Sequence, residues 1–333
     1  MPDTYKAILA DETDGVFQAR LVELTDSALP PEPVLVDVAY STLNYKDGLA
    51  ISAQSPIRIP QVLPMVCGID LAGTVRESAD PAWRPGDRVL VNGFGLSERH
   101  WGGFAQRARL KPEWLVRVPE ALSLEQAMAL GTAGYTAMLC VLAVEDHGVK
   151  PGDGPILVTG ASGGVGSVAV MLLAAMGHEV VACTGRVEES RAFLEGLGAA
   201  RLIERSQLAR DSRPLESETW AGVVDCVGGQ VLATALAQTR YDGVVAMTGL
   251  TGGVALNTTV MPFILRSLTL RGIDSVLAPN ERRTRAWTRL AELVDPARLA
   301  EIYQVAGLAD VPGLADQILG GRIRGRVVID VNA

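Results

Sequence analysis

Cysteine is scarce in this sequence, with four residues in a chain of 333. The four lie far apart and include no C-x-x-C pair, the spacing common in metal and redox sites. They are Cys67, Cys140, Cys183 and Cys226. A disulfide framework is therefore not expected. The scarcity favours a reducing, cytoplasmic setting, because disulfides persist mainly in oxidising compartments.

Positively charged residues are also few: the sequence has 30 lysines and arginines against 38 acidic residues, and the formal net charge is −8. Proteins that bind nucleic acid carry a basic footprint, so this balance argues against a nucleic-acid partner. It leaves room for an anionic ligand held by a few local arginines. The polar N-terminal residues contain no signal-peptide core. No apolar stretch approaches the roughly 20 residues of a membrane span, and we expect no membrane partner.

Apolar residues are plentiful at 48%, which is enough for a sizeable core, and the length suggests about two domains. The first third of the chain is rich in predicted strands. Residues 34–40 (VLVDVAY) alternate in the period of a half-buried strand, and residues 70–75 and 87–92 are shorter strand candidates. A Pro-Gly turn at residues 84–87 precedes the last of them.

The pattern changes from about residue 125. Residues 124–144 predict a helix that is interrupted by Gly131 and Gly134. Apolar strands then alternate with helices, the order typical of a doubly wound parallel sheet. The predicted strands are 155–159, 179–184, 222–227, 243–248 and 268–273, and the predicted helices are 164–176, 188–197 and 282–294.

These elements predict an α/β fold in which a Rossmann domain, a doubly wound parallel sheet, is inserted in a β-rich domain. We assign residues 1–124 to the β-rich domain and residues 125–295 to the nucleotide-binding domain. The strand-like tail at residues 326–331 returns the C-terminus to the first domain, which residues 296–333 complete.

The strongest local motif is residues 159–166 (TGASGGVG), between a predicted strand and a predicted helix. In the G-x-G-x-x-G frame, Ala161, Gly163 and Gly166 take the three small positions. Small residues let the backbone approach a pyrophosphate, and the helix N-terminus supplies free N–H groups. A ligand-free βα turn is the alternative, but the strand–loop–helix context favours dinucleotide binding.

The residues at the end of the next strand indicate whether the cofactor is NADH or NADPH. NAD sites place an acidic residue there to bind the ribose 2′-OH. Here the strand ends Thr184-Gly185-Arg186, and Glu188 falls just beyond it. An arginine pairs with a 2′-phosphate, which a carboxylate would repel. We therefore predict NADPH, with a solvated loop charge as the alternative role for Arg186.

Four further motifs carry a family resemblance: residues 44–47 (NYKD), 68–73 (GIDLAG), 85–89 (PGDRV) and 131–136 (GTAGYT). Together they resemble the medium-chain dehydrogenase/reductase superfamily, which implies that the β-rich domain is a GroES-like catalytic domain and that the protein is a homodimer. The superfamily's zinc enzymes hold their metal with a Cys and a His-Glu pair, where this chain has Asn44, Ile69 and Asp70. The four-cysteine structural-zinc lobe is also missing. We predict no metal, because catalytic zinc needs three protein ligands.

Within the superfamily, residues 41–50, 100–104, 259–266, 272–275 and 324–326 resemble the acrylyl-CoA reductase group. That resemblance implies NADPH-dependent reduction of acryloyl-CoA to propionyl-CoA. The residues that we assign to the cofactor are Tyr45, Thr132, Ser162, Gly163, Gly164, Val165, Gly166, Thr184, Gly185, Arg186, Arg205, Thr248, Leu250 and Ser275. Thr132 and its neighbour Thr136 have ordinary interhelical packing as an equal alternative.

Without a metal, hydride transfer favours an activated alkene, whose β-carbon is already electrophilic. Tyr45 is the first choice for the hydroxyl that stabilises the enolate or protonates carbon, with Lys46 or Asp47 as its polarising neighbour. Asn44 is a candidate to orient the nicotinamide or the thioester carbonyl. The alternative is that Asn44 and Asp47 only cap a short helix.

A CoA thioester carries phosphates, so an acidic protein needs a local basic patch for it. One cluster is Arg282, Arg283, Arg285 and Arg289, for which solvated helix charge is the simpler interpretation. A second cluster is Arg322, Arg324 and Arg326. We assign Arg324 to the substrate. His100 is expected to be a loop or packing residue.

Two other functions stay open at this point. One is an NADPH-dependent quinone or enone reductase on the same fold. The other is a non-catalytic NADPH-binding protein, such as a redox sensor.

Overall fold

The computed structural model describes residues 4–333 and forms two compact units. Unit 1 comprises residues 4–132, Ser275–Ala291 and Tyr303–Ala333, and unit 2 comprises Ala133–Asp274 and Glu292–Ile302. The predicted boundaries differ from this division, since they lay at 124/125 and 295/296. The first unit boundary falls inside a helix, and the chain crosses between the units three further times, near residues 275, 292 and 303.

Residues 4–333 form sixteen strands and nine α-helices, besides short 3-10 turns. The strands are β1 (Thr4–Thr13), β2 (Val16–Thr25), β3 (Val34–Leu43), β4 (Met65–Val66), β5 (Asp70–Ser78), β6 (Arg88–Asn92), β7 (Arg107–Leu110), β8 (Val116–Arg117), β9 (Ile156–Thr159), β10 (Val180–Thr184), β11 (Arg201–Glu204), β12 (Trp220–Asp225), β13 (Thr239–Met247), β14 (Thr269–Gly272), β15 (Tyr303–Gly307) and β16 (Arg326–Asp330). The helices are α1 (Tyr45–Ile51), α2 (Leu124–His147), α3 (Gly164–Ala175), α4 (Val187–Gly196), α5 (Gly229–Gln238), α6 (Met261–Leu265), α7 (Asn280–Leu293), α8 (Pro296–Ala300) and α9 (Val311–Leu319).

Unit 1 is built on two sheets. A three-stranded sheet has the order β2-β1-β4, and a seven-stranded sheet has the order β15-β16-β3-β5-β6-β8, with β7 also paired to β3. The tail strand β16 pairs antiparallel with β3, so Val327 lies opposite Leu43. The C-terminal strand is therefore part of the sheet that contains β3. This pairing matters for function, because it brings Arg326 to the end of β3.

Unit 2 contains a six-stranded, all-parallel sheet in the order β11-β10-β9-β12-β13-β14. Numbered from the first strand of the unit, this is the 3-2-1-4-5-6 order of a Rossmann sheet, whose switch point lies between β9 and β12. The central strands β9, β10 and β12 are short, mostly apolar and buried throughout, as expected for a parallel sheet that is covered on both faces. The predicted doubly wound fold is confirmed.

Helix α2 has one interruption. Gly131 adopts φ +51° and ψ −156°, which is not helical, whereas Gly134 lies inside the helix. The prediction of two breaks was therefore wrong at Gly134.

The same helix has 24 residues and a mean hydropathy of 1.8, which by length and composition is enough to cross a membrane. The sequence had been expected to contain no such stretch. In the protein, 94% of that apolar window is buried, as in a core helix.

Candidate active site

At the break in α2, the backbone N–H of Thr132 points to the buried carboxylate of Asp70. Thr132 N donates to Asp70 Oδ2 at 2.8 Å, and Thr132 Oγ1 donates to Asp70 Oδ1. A Cβ on Gly131 would lie 2.8 Å from Arg326 Nη2 and 3.0 Å from Asp70 Oδ2. Glycine is therefore required here both by the positive φ and by the lack of space.

Asp70, the first residue of β5, is fully buried and forms the centre of a polar cluster. Asn44 Nδ2 donates to its Oδ2 at 2.9 Å, and Asn92 Nδ2 donates to its Oδ1 at 2.8 Å. Four donors thus converge on one carboxylate, so both of its oxygens have hydrogen-bond partners within the protein.

Arg326 brings a buried cation to the same cluster. Its guanidinium donates to Asn44 Oδ1 at 3.1 Å, to Thr42 Oγ1 at 2.8 Å and to the carbonyl of Ala129 at 3.2 Å. Burial lowers the pKa of Arg326, and the nearby carboxylates of Asp70 and Asp47 oppose that shift. Asn44 Oδ1 accepts from a cation and Asn44 Nδ2 donates to a carboxylate, so these partners fix which way the side-chain amide is turned.

Asp47 closes the cluster from helix α1. It accepts hydrogen bonds from the backbone N–H groups of Asn44 and Ile69, each at 2.9 Å. Asn44 and Asp47 form the capping box of α1, so the helix-capping alternative describes their local geometry. Burial, and then the charge of Asp70, raises the pKa of Asp47 to about 7.

Tyr45 is the first residue of α1, and 41% of it is exposed. Both of its predicted polarising neighbours have other partners. Lys46 Nζ pairs with Glu98 Oε2 at 2.7 Å, and the carboxylate of Asp47 accepts from the backbone. The role of Lys46 or Asp47 as a polarising neighbour of Tyr45 stays a prediction.

The predicted nucleotide loop connects β9 to α3 in unit 2. Gly163 is the N-cap of α3, so the first-turn N–H groups of Gly164, Val165 and Gly166 have no intrahelical acceptor. A Cβ on Gly166 would lie 2.7 Å from Ala161 Cα. Ser162 Oγ lies 3.1 Å from Thr184 Oγ1 and so links the loop to the end of β10.

Two arginines flank Gly185 after β10. Both Arg186 and Arg205 are exposed, and the Arg205 guanidinium would lie 3.2 Å from a Cβ on Gly185. Neither forms an ion pair with a carboxylate in residues 4–333. Two uncompensated guanidinium groups at the end of the second parallel strand suit a phosphate dianion.

A cavity of about 470 Å³ opens at the carboxyl ends of β13 and β14. Thr248 lines it, between Met247 and Gly249, and Asp274 lines its other side. Leu250 follows and is 58% exposed. At the switch point, fully buried Asp225 accepts from Thr159 Oγ1 at 2.7 Å and from Gly228 N at 2.8 Å, which holds the ends of β9 and β12 together.

The remaining candidates fall into different settings. Thr136 is buried, as the packing alternative requires, and Arg324 is exposed. His100 packs against Trp114 with ring centres 4.7 Å apart, which confirms its packing role. Arg283 is only 1% exposed, so solvated helix charge does not describe it.

Two family models match the chain. An alcohol dehydrogenase GroES-like domain matches residues 30–120, and a zinc-binding dehydrogenase model matches residues 164–292. The acrylyl-CoA reductase AcuI of Ruegeria pomeroyi is 50% identical over 324 residues, which are 97% of each chain. This chain belongs to the medium-chain dehydrogenase/reductase superfamily.

Solved superfamily structures agree with this assignment. The yhdH oxidoreductase of Salmonella enterica, in complex with NADP, has a TM-score of 0.95 at 48% identity, over 98% of this chain and 99% of that one. The putative quinone oxidoreductase YhfP of Bacillus subtilis is 40% identical over 99% of both chains. Its structure with NAD bound has a TM-score of 0.95 and covers 99% of this chain and 100% of that one. The predicted family and fold are confirmed.

The positions that hold zinc in other superfamily members are occupied here by the polar cluster. Asn44 binds both Asp70 and Arg326, and Ile69 offers no ligand atom. Residues 4–333 contain no group of three or more His, Cys, Asp or Glu side chains suited to a metal. Cys67 is close by, but burial raises the pKa of its thiol to about 12.

Sequence reasoning gave catalytic or cofactor roles to Asn44, Asp47 and Thr132 but did not place them in one cluster. It named Asp70 only as the replacement of a zinc ligand and Arg326 only as part of a basic patch, and it did not name Asn92 or Thr42. The link between Arg326 and Asn44 could not be predicted, because only the pairing of β16 with β3 brings them together.

Proposed function

We propose that this protein reduces the C=C bond of a short enoyl-CoA with NADPH, converting acryloyl-CoA to propionyl-CoA. The observation that carries the proposal is the 50% identity to an acrylyl-CoA reductase over 97% of the chain. No insertion or missing segment of domain size separates the two proteins. The substrate also suits the site, because a conjugated thioester needs no metal to make its β-carbon electrophilic.

Bound NADPH would supply the hydride, which goes to the β-carbon of the substrate. The residues present fit this cofactor. The small-residue turn at Ala161 and Gly166 leaves room for a pyrophosphate at the start of α3. Arg186 and Arg205 offer two cations to the 2′-phosphate, and no acidic side chain takes the place where NAD enzymes bind the ribose.

The protein must then stabilise a thioester enolate and deliver a proton to the α-carbon. We assign this step to the hydroxyl of Tyr45, the exposed group at the N-terminus of α1. Asn44 and Asp47 hold that N-terminus through the capping box, and Asp70 and Arg326 hold Asn44. In this scheme the buried cluster positions Tyr45, and its members do not themselves react.

Further contacts follow from the same scheme. Thr132, Thr248, Leu250 and Ser275 are assigned to the cofactor, and Arg324 is assigned to the phosphates of CoA. Arg324 lies two residues before Arg326, in an exposed turn that leads into β16.

A panel of NADPH-oxidation assays with acryloyl-CoA, crotonoyl-CoA and a simple quinone tests the proposal. We expect fast oxidation with acryloyl-CoA and little with the quinone. The likeness to YhfP supports a quinone or enone reductase as the second candidate, and preference for the quinone would favour it. Quenching of NADPH fluorescence without oxidation by any substrate would favour a binding protein or redox sensor.

We also infer a homodimer in the cytoplasm. Strand β14 is an edge of the parallel sheet, and an unpaired edge is a template for association. Nearby in sequence, Val254, Val260 and Ile264 are largely exposed apolar residues. All four cysteines are free thiols, as in a reducing compartment. Light scattering on the purified protein tests the dimer, and a monomeric mass would contradict it.

A further inference from the structure

Arg283, on helix α7, is a buried cation whose guanidinium donates to four backbone carbonyls. Nε donates to Ala278 O at 2.8 Å, and Nη1 donates to Asn92 O at 2.7 Å. Nη2 donates to Ser275 O at 3.1 Å and to Val276 O at 2.8 Å. Its neighbour on the helix, Arg282, is exposed.

Burying an arginine is costly unless its donors are satisfied, so this site depends on the geometry of a guanidinium. The planar fork reaches acceptors on two separate backbone segments at once. A lysine at this position could donate from only one point. The side chain also packs over the ring of Phe94, with Cζ 4.0 Å from the ring centre.

The first of the two segments is residues 275–278, where the chain enters unit 1 from unit 2. It fits closely against the loop that follows β6. Phe94 N donates to Val276 O at 3.0 Å, and a Cβ on Gly93 would lie 2.9 Å from Val276 Cα. Val276 O therefore accepts from both Phe94 and Arg283.

The second segment is the end of β6, which leads directly to the polar cluster. The backbone carbonyl of Asn92 accepts from Arg283, and its side-chain amide donates to Asp70. The hydrogen bonds thus run without a break from Arg283 through Asn92 to Asp70, and from Asp70 to Thr132. Ser275, assigned above to the cofactor, is held by the same guanidinium.

We propose that Arg283 is a positioning residue for cofactor binding: it holds Ser275 and Asn92 in one arrangement, and so prepares the nicotinamide end of the site. This inference rests on the proposed function, because it takes NADPH as the ligand. It adds a residue that belongs neither to the nucleotide loop nor to the pair Arg186 and Arg205, which we assign to the 2′-phosphate.

The test compares Arg283→Lys and Arg283→Met with Arg282→Ala, the exposed control on the same helix. Two ligands are titrated into each folded variant: NADPH, and 2′,5′-ADP, which carries the 2′-phosphate but no nicotinamide. We expect the Kd of NADPH to rise about tenfold in both Arg283 variants, as for one lost charge-assisted hydrogen bond. The Kd of 2′,5′-ADP should stay within about twofold, and Arg282→Ala should change neither.

Three results would overturn the inference. A lower Tm with unchanged NADPH affinity would make Arg283 merely structural, and equal losses for both ligands would indicate general damage to the fold. Unchanged affinity and unchanged Tm would show that the four carbonyls need no guanidinium. If Arg283→Met does not fold, Arg283→Lys alone carries the test. Failure of the wild-type protein to bind NADPH would instead overturn the proposed function.

Discussion

The side-chain amide of Asn44 donates to the carboxylate of Asp70 at 2.9 Å and accepts from Arg326 at 3.1 Å. In the superfamily's zinc enzymes, the positions of Asn44 and Asp70 belong to the metal site. A hydrogen-bonded cluster here occupies the place of the metal and fixes the start of helix α1. In the mechanism that we propose, this cluster positions Tyr45, and the thioester itself makes the β-carbon electrophilic.

Gly131→Ala should damage the cluster directly. The new Cβ would meet Arg326 and Asp70 at a φ of +51°, so we expect a loss of about 1–3 kcal/mol in the free energy of unfolding. The kcat should fall as well, because Thr132 would move away from Asp70. Urea unfolding and steady-state kinetics measure the two effects.

The control for this change is Gly313→Ala. Gly313 lies inside helix α9 with open space around its Cα, so alanine there should stabilise the protein by about 0.5–1 kcal/mol. Equal stability changes at the two positions would contradict the role of Gly131.

Asp47 should make the stability of the protein depend on pH. Its pKa is about 7 in the folded protein and near 3.8 when unperturbed. Because the pKa is raised in the folded protein, the protonated side chain stabilises the fold relative to the charged one. This contribution to the free energy of unfolding is complete below the pKa of the unfolded chain and is lost as the pH rises through about 7. The stability difference between wild type and Asp47→Asn should therefore be larger at about pH 5 than at about pH 8. The same difference at both pH values would show that Asp47 does not titrate in this window.

Arg186→Ala should raise the KM for NADPH much more than the KM for NADH, because only NADPH carries the 2′-phosphate. Arg205→Ala should act in the same direction, since the Arg205 guanidinium lies beside Gly185, the residue before Arg186. Initial rates with each cofactor measure this. Equal losses with NADPH and NADH would remove both arginines from the phosphate site.

Tyr45→Phe should lower kcat while leaving the affinity for NADPH within a few-fold. Loss of one donor to a developing oxyanion typically costs on the order of 10²–10³ in kcat. Tyr241→Phe, at an exposed tyrosine in unit 2, is the control and should have no effect. Full kcat in Tyr45→Phe would assign the proton to solvent, and loss of NADPH binding would make Tyr45 a cofactor contact.

The purified protein should hold no stoichiometric zinc, and its activity should survive prolonged chelation. Asn44 and Ile69 supply no ligand of the kind that catalytic zinc requires. Elemental analysis before and after chelation tests this. About one zinc per chain, lost together with activity, would contradict the proposed mechanism.

Local pattern was a good guide wherever neighbours in sequence decide the structure. The loop at residues 159–166, the strand before it and the helix after it could be predicted, because a tight βα turn needs small residues and a buried strand needs an apolar run. The helix break at Gly131 was also predicted, but the one at Gly134 was not borne out. A glycine can also continue a helix, so its presence alone does not predict a break. Gly131 has a positive φ and no room for a Cβ beside Asp70 and Arg326, whereas Gly134 is helical.

By itself, the sequence determined the family, the doubly wound sheet, the nucleotide loop and the loss of the zinc ligands. Each depends on residue types at fixed spacings along the chain. Only the tertiary structure decided which charges are buried and what they bind. Arg283 and Arg326 look like their exposed neighbours in sequence. Strand pairing and helix packing, acting over distances of about 190 and 280 residues, place them against Asn92 and Asn44.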